Sequence, residues 1–208
     1  SEINTPRTSK KCINCGVEMK TRKFLVSLRW KNEDFEYFEE YFNKDLFHKS
    51  IIQPIDTFYE NGALFSIVEW SGQDFLLNYS APLSAKSILD IAQRVCGLLA
   101  FYHRNGVSLT TISYRNFLVD VKSNEFLFFD PDIQNIYPKQ VPEVERAREV
   151  PYLASTLLQF TSNYDVELQN LLHEAEEGKF ASPYDFGRAL EKLNQNNPPK
   201  EHGNRTAA

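Results

Sequence analysis

The sequence predicts an α+β fold in two unequal parts. Three observations carry that expectation. Two strand-like runs, "FLVSLRW" at 24–30 and "ALFSIVEW" at 63–70, flank one helical pattern in the first third of the chain. A long amphipathic helix and three further helical patterns fill most of the rest, interrupted by one short apolar hairpin. The bulk composition, 208 residues with 42% apolar and 25% charged, is that of a globular chain of one domain or two small lobes.

The elements follow in order. Residues 1–11 are polar, and Cys12-Ile-Asn-Cys15-Gly16 is a tight CxxC turn. Phe24–Trp30 alternates apolar and polar side chains, as a half-buried strand does. Over 33–47 the residues Phe35, Phe38, Phe42 and Leu46 recur at helical spacing. Ile51–Tyr59 is apolar enough for a strand, Asn61-Gly62 is a hairpin turn, and 63–70 is the returning strand. Ser84 caps a helix running to Tyr102, with Ile88, Ile91, Ala92, Val95, Leu98 and Leu99 as its buried stripe. Gly106 ends the following turn. Phe117–Val119 and Phe126–Phe129 read as paired strands around Lys122-Ser123-Asn124, and 134–142 as a loop. Helices are expected over 143–160, 166–176 and 183–193, then a polar tail.

Charge and cysteine content narrow the function. The net charge of −5 argues against sequence-independent nucleic-acid binding, which needs clustered Lys and Arg. Three cysteines and a polar start without an apolar leader fit a reducing, cytoplasmic setting rather than a disulfide framework. No apolar run approaches the roughly 18–20 residues that a bilayer span requires.

Cys12 and Cys15 supply two of the four ligands that zinc takes. His48 and Cys96 are the complementary candidates in this sequence. The pair reads as a zinc-ribbon remnant, as half of a site completed by a partner, or as a redox pair. On the aromatic helix Tyr37 and Tyr41 lie beside the Phe35–Phe38–Phe42 stripe. They are either part of a wide buried face or a partner-docking surface.

From Ile52 to Asp130 the chain resembles the protein kinase-like fold, and bacterial serine/threonine kinases in particular. "DTFYENGALFSIVEWSGQDFLLNY" resembles the last strands of the small lobe and the hinge, and "PLSAKSILDIAQRVCGLLAFYHRNGV" the long helix of the large lobe, closing at Tyr102-His103. "LTTISYRNFLVD" falls where kinases carry HRDxKxxN, and "FFDPD" where they carry DFG. The resemblance implies a reduced small lobe over 24–75, a helical large lobe over 76–194, an N-terminal segment over 1–23 and a flexible tail over 195–208.

Carried over residue by residue, the resemblance implies a degenerate site. The catalytic aspartate falls on Thr111, whose hydroxyl has no anionic form near neutral pH. The catalytic-loop lysine falls on Ser113. Asn116 and Asp130 retain the two metal-binding types, though Pro131 and Asp132 replace the Phe and Gly of DFG. Arg29 stands in for the ATP-contacting lysine, with Glu39 as its helix partner, and no GxGxxG is present. The implied role is a pseudokinase: an inactive adaptor or scaffold that binds another protein or a large assembly, with no cofactor. The alternatives are a regulatory subunit that still holds Mg²⁺-ATP through Asn116 and Asp130, and a zinc-dependent interaction module. Asn116 and Asp130 also have a purely structural reading, as a loop tie and a turn cap.

Overall fold

A computed structural model describes residues 23–30, 35–70, 74–75, 83–120, 125–161 and 165–196. The chain divides into two compact units, residues 1–29 with 54–72, and residues 30–53 with 73–208. The sequence reading placed all of 24–75 in one small lobe; the aromatic helix and the loop after it instead group with the larger unit.

The smaller unit is a three-stranded sheet in the order β1 (Lys23–Trp30), β3 (Ala63–Trp70), β2 (Asp56–Glu60). Strands β2 and β3 pair antiparallel from Asp56↔Ile67 to Glu60↔Ala63. Asn61 and Gly62 both have positive φ, 50° and 80°, as the turn of a tight two-residue hairpin requires. That register sets Phe58 against Phe65, and their rings stack at 5.0 Å, only 6° from parallel. Ala63, Leu64 and Val68 are buried. The strand expected over 51–59 is shorter than the apolar run suggested, because Ile51 only bridges to Phe128 and regular pairing begins at Asp56.

In the larger unit α1 spans Phe35–Asn43 and stops short of the 47 expected. Asp45 turns left-handed at φ 50°, which breaks the helix and leaves Leu46 and Phe47 outside it, Phe47 on the surface. Helix α1 packs on β8 (Ile133–Ile136). Helix α2 (Ala85–Arg104) begins where Ser84 Oγ accepts the Ser87 N–H at 3.1 Å. All six residues of its expected stripe are buried, joined by Tyr102 and His103.

Two small sheets flank α2 in sequence. Strand β5 (Val107–Leu109) pairs with β8, most of which lies in a segment expected to be loop. The residues of β8 carry no alternation by which a four-residue strand could be noticed. Strands β4 (Asp74–Phe75), β6 (Phe117–Asp120) and β7 (Glu125–Phe128) form the other sheet, β6 and β7 paired as expected. Gly106 is required between α2 and β5: its φ is 74°, and a Cβ there would collide with the carbonyl oxygens of Tyr137 and Lys139.

Helices α3 (Glu149–Leu158), α4 (Val166–Glu176) and α5 (Pro183–Asn196) complete the unit, α3 against α4 and α5 against α2. Asp165 caps α4 through the Leu168 N–H, and Ser182 caps α5 through the Asp185 N–H. The single helix expected over 143–160 is interrupted: a 3₁₀ turn at Glu143–Glu145 precedes α3. Helix α5 continues to Asn196, two residues into the stretch read as tail. Residues 197–208, Cys12 and Cys15 lie outside the described residues. No helix among the described residues is long and apolar enough to cross a membrane.

Candidate functional site

The segment from Leu109 to Asn116 leaves β5, passes through an irregular stretch and enters β6 by a 3₁₀ turn at Tyr114–Asn116. It is tied down along its length. The Leu109 N–H donates to Glu149 Oε1 at 3.0 Å. The Thr110 N–H donates to the Asp132 carbonyl at 2.8 Å, and Thr156 Oγ1 to the Ile112 carbonyl at 2.9 Å. Ile112 is buried, and Thr111 beside it is half-buried.

Asn116 closes the segment. Its Oδ1 accepts from the Ser113 N–H at 3.1 Å and from Ser113 Oγ at 3.2 Å, while Ser113 Oγ accepts the Arg115 N–H. Its Nδ2 donates to the Asp130 carbonyl at 3.0 Å, and its own carbonyl accepts the Phe129 N–H at 2.8 Å. An amide oxygen has two lone pairs. Both of those on Asn116 face donors of Ser113. Asp130 has φ 53°, and the tie from Asn116 holds its carbonyl in that left-handed turn. Pro131 is buried behind it, removing one N–H and fixing φ at that step.

Glu149 is the site residue that sequence reasoning missed. It is 1% exposed at the first position of α3, where an acid suits the helix dipole. Its Oε1 meets both the Leu109 N–H and His103 Nε2, the latter at 3.1 Å across buried surroundings. Oε2 is buried with no hydrogen-bond partner among the described residues. The sequence signal was thin: one Glu ahead of Val150-Pro151, with nothing to say that it points inward.

The other candidates separate. Tyr41 was offered as a partner surface, but it is 7% exposed and its hydroxyl bonds Tyr102 Oη at 2.9 Å, so it belongs to the core. Helix α1 turns Phe38 and Tyr41 inward, which leaves Tyr37 half-buried. Burial drives the Tyr41 hydroxyl up to about 12 and the Tyr102 hydroxyl well above its ordinary value. Arg29 is half-buried on β1 in the smaller unit, and Glu39 is exposed on α1 in the larger. His48 Nδ1 accepts the Ser50 N–H at 3.1 Å and its ring packs on Phe101 at 5.0 Å. Desolvation, then the charges of Lys49 and Arg104, lower its pKa.

Cys96 is buried on α2, its Cβ 3.2 Å from where a Cβ on Gly187 would stand, and burial pushes its thiol far up. Among the described residues no group of three or more His, Cys, Asp or Glu could hold a metal, and Cys12 and Cys15 lie outside those residues. A groove of about 300 Å³ runs between α2 and α5, with Gln93, Cys96, Ala100, Tyr184 and Arg188 in its walls.

No protein-family model and no curated protein sequence matches the chain. Solved structures do. The kinase domain of Mycobacterium tuberculosis PknI, as a double mutant, superposes with a TM-score of 0.60 at 17% identity, over 80% of this chain and 83% of that one. The domain without those mutations gives 0.58 at 17% identity, covering 80% and 85%. A single mutant gives 0.55 at 18%, covering 80% and 84%.

The fold is protein kinase-like.

At this identity the likeness establishes architecture and leaves chemistry to the residues. Within the kinase-like larger unit, the segment Leu109–Asn116 and the turn at Asp130 are built and in contact. The contacts that the structure gives Asn116 are internal ones.

Proposed function

We propose that this protein is a kinase-like module without phosphoryl-transfer activity, acting as an adaptor that binds another protein. The observation that carries the reading is Asn116. Its carboxamide spends its oxygen on Ser113 and its nitrogen on the Asp130 carbonyl. That is the work of a structural tie, and it does not fit a bound Mg²⁺. Thr111 adds to it: a general base needs a group that can take a proton near neutral pH, and a threonine hydroxyl is not one.

The test is thermal stability with and without ATP and Mg²⁺, in the wild type and in Asp130→Ala, beside a phosphoryl-transfer assay on the same protein. A ligand that binds only the folded state raises its melting temperature. The expected result is no shift at millimolar ATP and no transfer. A shift that Asp130→Ala removes would favour a regulatory subunit holding Mg²⁺-ATP instead. Transfer lost in the same variant would make the protein an enzyme.

A further inference from the structure

Two glycines stand where helices α2 and α5 meet, and only one has a packing reason. A Cβ on Gly187 of α5 would stand 3.2 Å from Cys96 Cβ on α2, so glycine suits that close approach. Gly97 is different. A Cβ there would meet nothing within 4 Å. It lies inside α2, where every residue except proline favours the helix more than glycine does. Neither packing nor backbone conformation calls for glycine at 97, so what it preserves is space. That space belongs to the groove of about 300 Å³ between the two helices, a volume at the lower end of those in which proteins hold small ligands.

The lining selects the occupant. Ala100 and Cys96 offer short apolar walls, the buried thiol behaving as a small hydrophobe, and the exposed Tyr184 ring adds an aromatic one. Arg188 and Glu191, both exposed, line the same groove. Three residues apart on one helix, they are neighbours, with about 5–6 Å between their Cβ atoms. Yet no ion pair joins them. Among the described residues Arg188 makes no hydrogen bond or ion pair, and Glu191 accepts one long bond, from Gln195 Nε2 at 3.5 Å. A simple anion would meet Glu191, a simple cation would meet Arg188, and a hydrocarbon would use neither. An α-amino acid uses both, because it carries a carboxylate and an ammonium on one carbon and sends its side chain in a third direction.

We propose that the α2–α5 groove is a binding site for a free α-amino acid with an apolar side chain, of the size of leucine or phenylalanine. The carboxylate pairs with Arg188 and the ammonium with Glu191, while the side chain lies over Gly97 against Cys96 and Ala100. The site shares no residue with Leu109–Asn116 or Asp130, so it goes beyond the adaptor reading and does not depend on it.

The experiment is a titration of the full chain, followed by its amide NMR resonances, with L-leucine and L-phenylalanine. Three analogues serve as controls: hydrocinnamate without the ammonium, phenethylamine without the carboxylate, and glycine without the side chain. Shifts are expected to gather on the groove-lining residues of α2 and α5. Each analogue is expected to bind at least about tenfold more weakly than phenylalanine, the worth of one charged hydrogen bond. Gly97→Leu fills the groove with a good helix former and is expected to abolish binding without lowering the melting temperature. Arg188→Gln and Glu191→Gln alter exposed side chains alone, are each expected to weaken binding about tenfold, and carry the test if Gly97→Leu fails to fold. No response to either amino acid at millimolar concentration overturns the proposal. So do analogues that bind as tightly as phenylalanine, and binding that a folded Gly97→Leu or both charge variants leave intact. A dimer in sedimentation that Gly97→Leu dissolves, with the amino acids unbound, overturns it in favour of a second copy as the occupant.

Discussion

Glu149 Oε1 accepts the backbone N–H of Leu109 at 3.0 Å, and the same oxygen stands 3.1 Å from His103 Nε2. One buried carboxylate thus joins the end of α2, the end of β5 and the start of α3. Breaking such a pair from one side strands its partners in a low-dielectric interior, which costs far more than losing the contact itself.

Glu149→Ala is therefore expected to destabilise the fold by about 3–5 kcal/mol. Glu149→Gln keeps an oxygen for Leu109 and is expected to cost about 1–2 kcal/mol, the amide nitrogen then being a buried donor without an acceptor. Urea denaturation of the three proteins checks both values. A loss under about 1 kcal/mol in Glu149→Ala would mean that this junction is held by packing alone.

Tyr41 and Tyr102 share a buried hydrogen bond at 2.9 Å between α1 and α2. Removing both hydroxyls is expected to be milder than removing one, with a coupling of about 0.5–1.5 kcal/mol in the Tyr→Phe double-mutant cycle. The pH dependence has a definite sign. The folded state keeps Tyr41 protonated up to about 12, whereas an unfolded tyrosine ionises near 10. The unfolded state then binds fewer protons between these values, so stability is full below 10 and falls as pH rises towards 12. Melting curves across that window are expected to fall less steeply in Tyr41→Phe.

His48 sets the acid side. Its folded pKa is lowered from 6.5, so the unfolded state binds more protons once the pH drops below that value. Stability from this group is complete above 6.5 and is lost as pH falls through the lowered pKa. Burial of the ring is the first cause, followed by the charges of Lys49 and Arg104, and protonating Nδ1 would also break the bond it accepts from the Ser50 N–H. The melting temperature of the wild type is expected to drop more between pH 7.5 and 5 than that of His48→Gln. Equal drops would show that His48 does not govern the acid limb.

Periodicity carried the fold and burial decided the rest. The stripe from Ile88 to Leu99 could be read from the sequence because a sustained 3.6-residue spacing fits a helix and no strand. Asn61-Gly62 could be read because few dipeptides accept two positive φ angles in succession. Strands β5 and β8, three and four residues long, are too short for any period to emerge. Tyr37 and Tyr41 are both tyrosines beside one apolar stripe, and only the packing of α1 tells the core one from its half-buried neighbour. Asn116 was found by its position, but its role lies in partners 3 and 14 residues away that spacing does not reveal.

Gly106 and Gly62 make a controlled comparison, since both have positive φ, 74° and 80°. A Cβ at Gly62 meets nothing, while one at Gly106 strikes two backbone oxygens that cannot move aside without opening the turn into β5. Gly62→Ala is expected to cost about 1 kcal/mol from backbone strain alone. Gly106→Ala carries the same strain plus the collision, and is expected to cost at least about 2 kcal/mol more. Equal losses in chemical denaturation would mean that the 137–139 segment yields freely.

Asn116→Asp separates the structural role of this residue from a metal-binding one. Aspartate is the better ligand for Mg²⁺, so a cation site here would keep or gain affinity on substitution. As a tie, the residue behaves differently. A carboxylate oxygen replaces the donor that faces the Asp130 carbonyl at 3.0 Å, turning an attraction into a repulsion at a position 6% exposed. The Asp130 carbonyl then loses its side-chain tie, and only the backbone bond from the Phe129 N–H to the residue-116 carbonyl remains. Asn116→Asp is expected to destabilise the fold by about 2–3 kcal/mol, as much as Asn116→Ala or more. Millimolar Mg²⁺ is expected to restore none of it in thermal melts. Recovery of the Asp variant by Mg²⁺ with no effect on the Ala variant would show that a cation can sit between residues 116 and 130, and would reopen the nucleotide-binding reading.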